Sequence, residues 1–177
     1  MYLVSIYFEQ HTTKHLQSMI NQVAKKNSNT FMVDGKVPPH ITVSAFETME
    51  IESAIQVLDE TIKTMRAFPI SLVSVGTFLP SVIYIAAVYD EKLHQTSKLV
   101  YDALTTIDTI SIQQRYRPFQ WLPHVTIGKK MTQEQLLEAF RVLQNQFGVL
   151  QGKVVKIGLA KTNPYRDLMI WELSNES

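Results

Sequence analysis

The sequence predicts an α+β fold in which a duplicated unit forms two lobes, related by a pseudo-two-fold axis, around a central cleft. The first observation is a pentapeptide of the form Pro-His-apolar-Thr-apolar that occurs twice, at 39–43 and 123–127. The second is that predicted strands and helices follow the same order before and after about residue 80. Repetition at a constant offset indicates an internal structural repeat. Helices that alternate with hairpin-linked strands favour antiparallel sheets with the helices packed on their outer faces.

The first repeat is predicted to contain three strands and two helices. β-Branched and aromatic residues form its first strand, and apolar residues at helical spacing from Leu16 to Val23 indicate its first helix. The pentapeptide alternates as a strand, and an apolar stripe from Ile51 to Met65 indicates the second helix, which Pro69 ends. The predicted elements are a strand at 2–8, a helix at 13–26, a strand at 40–46, a helix at 50–66 and a strand at 70–79.

The second repeat is predicted to follow the same order and to end in an additional strand. Its helices show apolar stripes, and Thr132 with Gln135 resembles a capping box at the start of the second one. The turn at Asn163-Pro164 separates the last two strands. The predicted elements are a strand at 82–89, a helix at 92–108, a strand at 122–128, a helix from Thr132 to about 147, and strands at 153–160 and 168–173.

A bare His-x-Thr is a weak signal, as a third instance shows. His11-Thr12-Thr13 lacks the proline and the apolar alternation of the pentapeptides. It precedes a predicted helix, so we interpret it as a helix entry at which Thr12 or Thr13 caps exposed backbone N–H groups.

Length and composition are those of one globular domain. The 177 residues provide for a sizeable core, and we expect a single domain made of two repeats, about 1–80 and 81–177. A net charge of +1 excludes only a strongly acidic or strongly basic protein, because a local basic patch can exist within a nearly neutral total. The lack of cysteine excludes disulfides, thiolate metal sites and cysteine nucleophiles, and it favours a reducing compartment. Because the sequence shows no long apolar run and no basic leader, we expect a cytoplasmic protein without a membrane segment.

The two pentapeptides carry the residues best suited to chemistry. Alternate residues of a strand project to opposite faces, so His40 and Thr42 share one face while their apolar neighbours enter the core. His124 and Thr126 follow the same pattern. If the lobes face each other, two imidazoles and two hydroxyls line one cleft. A neutral imidazole can accept a proton, an imidazolium can protonate a leaving oxygen, and the hydroxyls can hold a phosphate between them.

Other interpretations of these four residues stay open. A strand histidine can be a hydrogen-bonded structural residue, and a repeat can serve only to build the core of a scaffold protein. The same cleft can also bind a nucleotide or RNA without turnover. A metal site is disfavoured, because two histidines without a nearby carboxylate or cysteine do not supply the three or four ligands that zinc usually needs. We therefore expect neither a metal nor another cofactor.

Two His-x-Thr motifs, each on a strand and 84 residues apart, resemble the signature of the 2H phosphoesterase superfamily. Phe46 and the segment from Phe119 to Gly128 are similar to its 2′-5′ RNA ligase-like branch. The resemblance covers essentially the whole chain, including the order of the motifs and the bilobal repeat.

The resemblance implies an enzyme and a class of substrate. In that family two histidines act as acid and base, and two hydroxyl side chains bind the phosphate. By resemblance, these roles fall to His40 and His124, and to Thr42 and Thr126. The substrate is an RNA end or small nucleotide whose 2′,3′-cyclic phosphate is opened to a 2′-phosphate. Some members instead cleave or join 2′-5′ linkages, hydrolyse other cyclic phosphates, or bind nucleotides. The pseudo-symmetry leaves open which histidine is the acid.

Basic and aromatic residues near the motifs are candidates for substrate binding. Arg115 and Arg117 precede the second motif, and Lys129 and Lys130 follow it, where several relatives have an arginine. Lysine attracts phosphate as a point charge, without the bidentate geometry of arginine. A solvated surface is the alternative role for all four. Tyr84 can offer a face for base stacking, with cross-strand packing as the alternative. Tyrosines that rank below it are Tyr7, Tyr116 and Tyr165.

Overall fold

The computed structural model describes residues 1–175, which form strands and α-helices in alternation and confirm the predicted α+β class. The strands are Tyr2–Phe8 (β1), His40–Glu47 (β2), Phe68–Phe78 (β3), Val82–Ala87 (β4), Ser111–Ile112 (β5), His124–Gly128 (β6), Leu150–Lys161 (β7) and Arg166–Glu172 (β8). The helices are Gln10–Asn27 (α1), Phe31–Asp34 (α2), Ile51–Ile62 (α3), Glu91–Leu104 (α4) and Gln133–Gln146 (α5), with a 3₁₀ turn at Gln114–Tyr116.

The eight strands belong to one sheet. Their order is β1, β2, β6, β4, β3, β7 and β8, with the short β5 beside β2. Strand β1 also pairs with β7, so the pairings from β1 through β7 close on themselves, and β8 flanks β7. All of these ladders are antiparallel, as predicted. The sheets expected for two separate lobes are therefore continuous with each other.

Two strand pairs join the halves of the sequence at equivalent residues. Ile41 of β2 lies opposite Val125 of β6, and these residues hold the same place in the two pentapeptides. Ile70 of β3 lies opposite Gly152 of β7. Four of the remaining ladders match between halves, since β1 pairs with β2 as β4 pairs with β6, and β1 pairs with β7 as β4 pairs with β3. The predicted pseudo-two-fold axis therefore passes between the two pentapeptide strands.

The long helices pack in two pairs, and each pair takes one helix from each half of the sequence. Helix α1 lies beside α5, and α3 lies beside α4. In addition, α1 contacts β6 and α4 contacts β2, so each half covers a motif strand of the other half. Leu16, Leu58 and Leu93 of the predicted apolar stripes are fully buried in the core. Each helix pair therefore combines elements from the two sequence segments 1–80 and 81–177.

The start of α1 differs from the prediction. The helix begins at Gln10, three residues before the predicted start, and neither Thr12 nor Thr13 accepts a backbone N–H bond as a cap. The Thr12 hydroxyl instead donates to the Glu9 carboxylate at 2.6 Å, and the Thr13 hydroxyl donates to the Phe8 carbonyl at 3.1 Å. The expected threonine cap is wrong because the helix begins at Gln10, which places both threonines inside the helix and not at its N-cap.

Helices α3 and α4 each end about four residues before their predicted ends. Threonine hydroxyls donate to backbone carbonyls there, from Thr64 to Thr61 and from Thr106 to Ala103, both at 2.7 Å. Such side-chain bonds give the backbone an alternative to further helical turns. The capping box predicted at the start of α5 is present. None of the helices within residues 1–175 has the length and apolar character needed to cross a membrane.

Candidate active site

The two pentapeptide strands lie side by side in the sheet. Because Ile41 faces Val125 in an antiparallel pair, the same register places His40 across from Thr126 and Thr42 across from His124. These four side chains are half-buried, whereas the alternating Ile41 and Val125 are fully buried in the core. The strand parity inferred from the sequence thus brings both His-x-Thr pairs onto one face.

Each histidine is held by a backbone carbonyl two residues before it. The His40 Nδ1 atom lies 2.8 Å from the Pro38 carbonyl, and the His124 Nδ1 atom lies 2.8 Å from the Leu122 carbonyl. A carbonyl oxygen only accepts, so Nδ1 carries the hydrogen in both rings. The Nε2 atom is then the base of the neutral ring and the acid of the protonated ring. Both rings are therefore oriented for proton transfer through Nε2.

Burial lowers the pKa of both histidines. Desolvation has the largest effect on the pKa of His40 and of His124, and the carbonyl bonds raise both pKa values in part. A positive charge on His124 further lowers the pKa of His40. Because each positive charge disfavours the other, a pair of rings with one proton is favoured over a doubly protonated pair.

The surroundings of His124 are aromatic. Its ring centre lies 4.8 Å from that of Phe78 in an edge-to-face contact and 5.2 Å from that of Tyr84. Phe78 and Tyr84 lie 4.3 Å apart. Tyr84 is buried and faces Gly76 across the β3–β4 ladder, where a Cβ atom would come within 2.5 Å of the tyrosine ring. Cross-strand packing, the alternative considered for Tyr84, is thus observed, and the sequence reasoning missed Phe78 and Gly76.

The surroundings of His40 are polar. Tyr7 lies opposite His40 in the β1–β2 ladder, with the ring centres 5.9 Å apart. The Tyr7 hydroxyl is 3.3 Å from that of Tyr165, whose hydroxyl donates to Asp167 at 2.7 Å. Asp167 does not figure among the residues singled out in the sequence, because only the β7–β8 hairpin brings it near the first motif.

A tryptophan connects the two motifs. The buried Trp121 indole donates its Nε1–H to the Thr42 carbonyl at 2.9 Å. Trp121 precedes His124 by three residues, so the approach to the second motif is hydrogen-bonded to the backbone of the first. Sequence reasoning missed this contact, although an aromatic residue so close to a motif is a signal that could have suggested it.

The four basic candidates lie in two places, at the 3₁₀ turn and after β6. Arg115 lies in the 3₁₀ turn and Arg117 lines an open groove beside α4. Lys129 and Lys130 follow β6, and the Lys130 ammonium lies 4.5 Å from the centre of the Phe31 ring of α2. All four are exposed, and contact with a substrate remains a prediction for each of them. Within residues 1–175, no group of three or more His, Cys, Asp or Glu side chains is arranged to hold a metal ion.

The fold and the two adjacent His-x-Thr strands define a class of two-lobed α+β proteins with a duplicated histidine site. The sequence model described as the 2′-5′ RNA ligase superfamily matches residues 11–166, which include both pentapeptides. The chain belongs to this superfamily, and the resemblance noted in the sequence is confirmed.

Solved structures share this fold across nearly the whole chain. The protein TT0787 of Thermus thermophilus superposes with a TM-score of 0.64 at 14% identity, covering 99% of each chain. Escherichia coli LigT, crystallised with 3′-AMP, has a TM-score of 0.61 at 16% identity and covers 98% of each chain. Among curated sequences, BH1439 of Halalkalibacterium halodurans is 24% identical over 127 residues, which are 70% of this chain and 69% of that protein.

Proposed function

We propose that the protein is a metal-independent phosphodiesterase that opens 2′,3′-cyclic phosphates on RNA ends or small nucleotides to 2′-phosphates, or acts on 2′-5′ linkages. Superfamily membership makes phosphoesterase chemistry the general class. The observation that carries the specific proposal is the pairing of Ile41 with Val125, which sets two similarly oriented histidines on one face of the sheet. Nucleotide-sized ligands fit this class of fold, since the related LigT was crystallised with 3′-AMP, ATP and phosphate.

The reaction uses one proton acceptor and one proton donor. A neutral imidazole Nε2 removes a proton from water as the water oxygen bonds to phosphorus. The bond from phosphorus to O3′ breaks, and the imidazolium Nε2 of the other histidine protonates O3′. The product has a 2′-phosphate and a free 3′-hydroxyl. Thr42 and Thr126 hydroxyls donate to the non-bridging phosphate oxygens, where negative charge increases in the transition state.

The test is a substrate panel. Purified protein is incubated with 2′,3′-cyclic nucleotides, an RNA ending in a cyclic phosphate and 2′-5′ dinucleotides, in the presence of EDTA, and products are separated by chromatography. Formation of 2′-phosphates by the native chain, and its loss in the His40→Gln/His124→Gln double variant, supports the proposal. His11→Gln is the matched control, because it removes an exposed histidine from the third His-x-Thr in α1.

Two results would contradict the proposal. Full turnover in the double histidine variant would place the chemistry elsewhere. Binding of nucleotides without turnover of any panel member would instead support a binding module that uses the same cleft.

A further inference from the structure

An exposed aromatic residue lies in the loop before the second motif. Phe119 is 81% exposed, and its backbone has a φ angle of 64°, which residues with a Cβ atom rarely adopt. Its ring centre lies 4.3 Å from that of His94 on α4, with 32° between the ring planes. Phe119 therefore packs one face against an imidazole and leaves the other face open to solvent. Strained backbone of this kind concentrates at functional sites.

A tyrosine holds both of these rings in place. The Phe119 N–H donates to the Tyr89 hydroxyl at 3.4 Å, and the same hydroxyl lies 3.0 Å from Nδ1 of His94. The Tyr89 ring packs edge-to-face on the buried Trp121, with the ring centres 5.6 Å apart. Phe119, His94 and Tyr89, which we call the aromatic platform, thus form a rigid surface that needs little ordering when a ligand binds.

The aromatic platform forms one side of the open groove beside α4. The groove has a volume of about 360 Å³, which is within the range of small-ligand sites. Lys98 and Asp102 line it and form an ion pair with each other, whereas Arg117, which also lines it, takes part in no ion pair within residues 1–175. An open aromatic face beside a free guanidinium matches a nucleobase and its phosphate, since bases stack on aromatic rings and arginine neutralises phosphates.

The aromatic platform lies near the end of the sheet where His124 is located. Ala86 is opposite His124 in the β4–β6 ladder, and Tyr89 follows Ala86 by three residues. These separations keep the Cα atom of Tyr89 within about 16 Å of that of His124. The contact of Trp121 with the Thr42 carbonyl also joins this region to the first motif. An RNA whose terminal phosphate lies between the motifs therefore reaches the platform with a nucleotide that precedes this phosphate.

We propose that the aromatic platform binds a base of single-stranded RNA upstream of the reacting phosphate, with the base on Phe119 and an adjoining phosphodiester at Arg117. The preferred substrate is then an RNA end and not a free cyclic mononucleotide. The inference rests on the proposed function for the position of the terminal phosphate. Binding of RNA to the groove is measured without turnover.

The first experiment measures binding by fluorescence anisotropy. The probe is a 5′-labelled RNA of four nucleotides that ends in a 3′-phosphate and so has no cyclic phosphate to open. Phe119→Ala should raise Kd about 5- to 100-fold through the loss of one stacked base, and Phe119→Trp should retain the native affinity. Phe140→Ala is the matched control, because it removes an exposed phenylalanine from α5, which belongs to the other helix pair.

The salt dependence of the same binding tests the phosphate contact. Arg117→Gln should reduce the slope of log affinity against log salt concentration by about 0.7, the value for one phosphate on a single strand. Arg141→Gln, at an exposed arginine of α5, should leave the slope at its native value.

The second experiment compares two substrates. The native chain should have a higher kcat/KM for an RNA of four nucleotides with a 2′,3′-cyclic phosphate than for a 2′,3′-cyclic mononucleotide. Phe119→Ala should lower the ratio of these two values about 5- to 100-fold, mainly through KM for the RNA, because the lost contact is made by a base that the mononucleotide lacks.

Four outcomes would overturn the inference. They are native RNA affinity in Phe119→Ala, an equal loss of affinity in Phe140→Ala, a Phe119→Trp variant as weak as Phe119→Ala, and an unchanged salt slope in Arg117→Gln. An equal loss of kcat/KM on both substrates in Phe119→Ala would also contradict it. If no substrate is turned over at all, the proposed function fails, but the anisotropy measurements still decide whether the groove binds RNA.

Discussion

The two motif strands, β2 and β6, are alike in backbone and unlike in surroundings. Each carries a half-buried histidine tied through Nδ1 to the carbonyl two residues before it. Around β2 the neighbours are Tyr7 and the hydroxyl chain to Asp167, and around β6 they are Phe78 and Tyr84. A duplicated backbone therefore presents two similarly oriented imidazoles, and the cross-strand neighbours give them different surroundings.

The largest effect is expected from removal of either histidine. His40→Gln and His124→Gln should each lower kcat by roughly 10²–10⁴-fold, because each removes one of two proton transfers. The double variant should lose much less than the product of the two losses, since the rings act as a unit. Steady-state kinetics on a 2′,3′-cyclic nucleotide measures this, with His11→Gln as control. A large loss of kcat for only one of the two variants would mean that only one histidine is catalytic, despite the symmetric backbone.

The threonines provide the next test of equivalence. Thr42→Val and Thr126→Val keep the side-chain shape and remove the hydroxyl, and each should cost roughly 10²–10³ in kcat if it supplies one donor to the developing charge. Thr42→Ser and Thr126→Ser should retain most of the activity because the donor remains. Equal rates for the valine and serine variants would show that the hydroxyls do not contact the phosphate.

Two glycines test how closely the aromatic rings are fitted to the sheet. A Cβ atom at Gly76 would come within 2.5 Å of the Tyr84 ring, and one at Gly158 would come within 2.8 Å of Tyr7 and of Ile170. We expect Gly76→Ala to cost ~1–3 kcal/mol in urea unfolding, as overpacking does, because Phe78 and His124 limit the movement of Tyr84. Gly158→Ala should cost less, since the Ile170 side chain is partly exposed and can rotate. The reverse order would mean that the polar side is the more rigid one.

The smallest effect concerns pH and stability. Burial lowers the pKa of both His40 and His124 in the folded protein, so protons bind better to the unfolded chain. Their contribution to stability is complete above the unfolded pKa of about 6.5 and is lost as the pH falls through the lowered folded pKa values. The Tm should therefore fall from pH 7 to pH 5 by more in the native chain than in His40→Gln/His124→Gln. A parallel decline in both proteins would contradict this linkage.

Much of this site could be predicted from the sequence because it depends on local geometry. Strand parity places His40 with Thr42 and His124 with Thr126, and the repeat of the pentapeptide indicates that the pairs meet. The neighbours depend on which strands pair and in what register, and a shift by one residue would turn Tyr7 to the other face. Asp167 and Gly76 reach their partners through the β7–β8 and β3–β4 ladders, and the turn residues predict these hairpins without fixing their register.

The helix pairs have a consequence for how the chain can be divided. Each pair combines a helix from before residue 80 with one from after it, and each half covers a motif strand of the other. A cut in the exposed turn at Leu79 would therefore give two fragments. Each fragment would expose an apolar helix face, because the helix that packs against this face belongs to the other fragment. Neither fragment can complete a core alone, but the two together contain every contact. The duplicated halves behave as complementary fragments of one folding unit, and their reassembly would restore the site and the core in the same step.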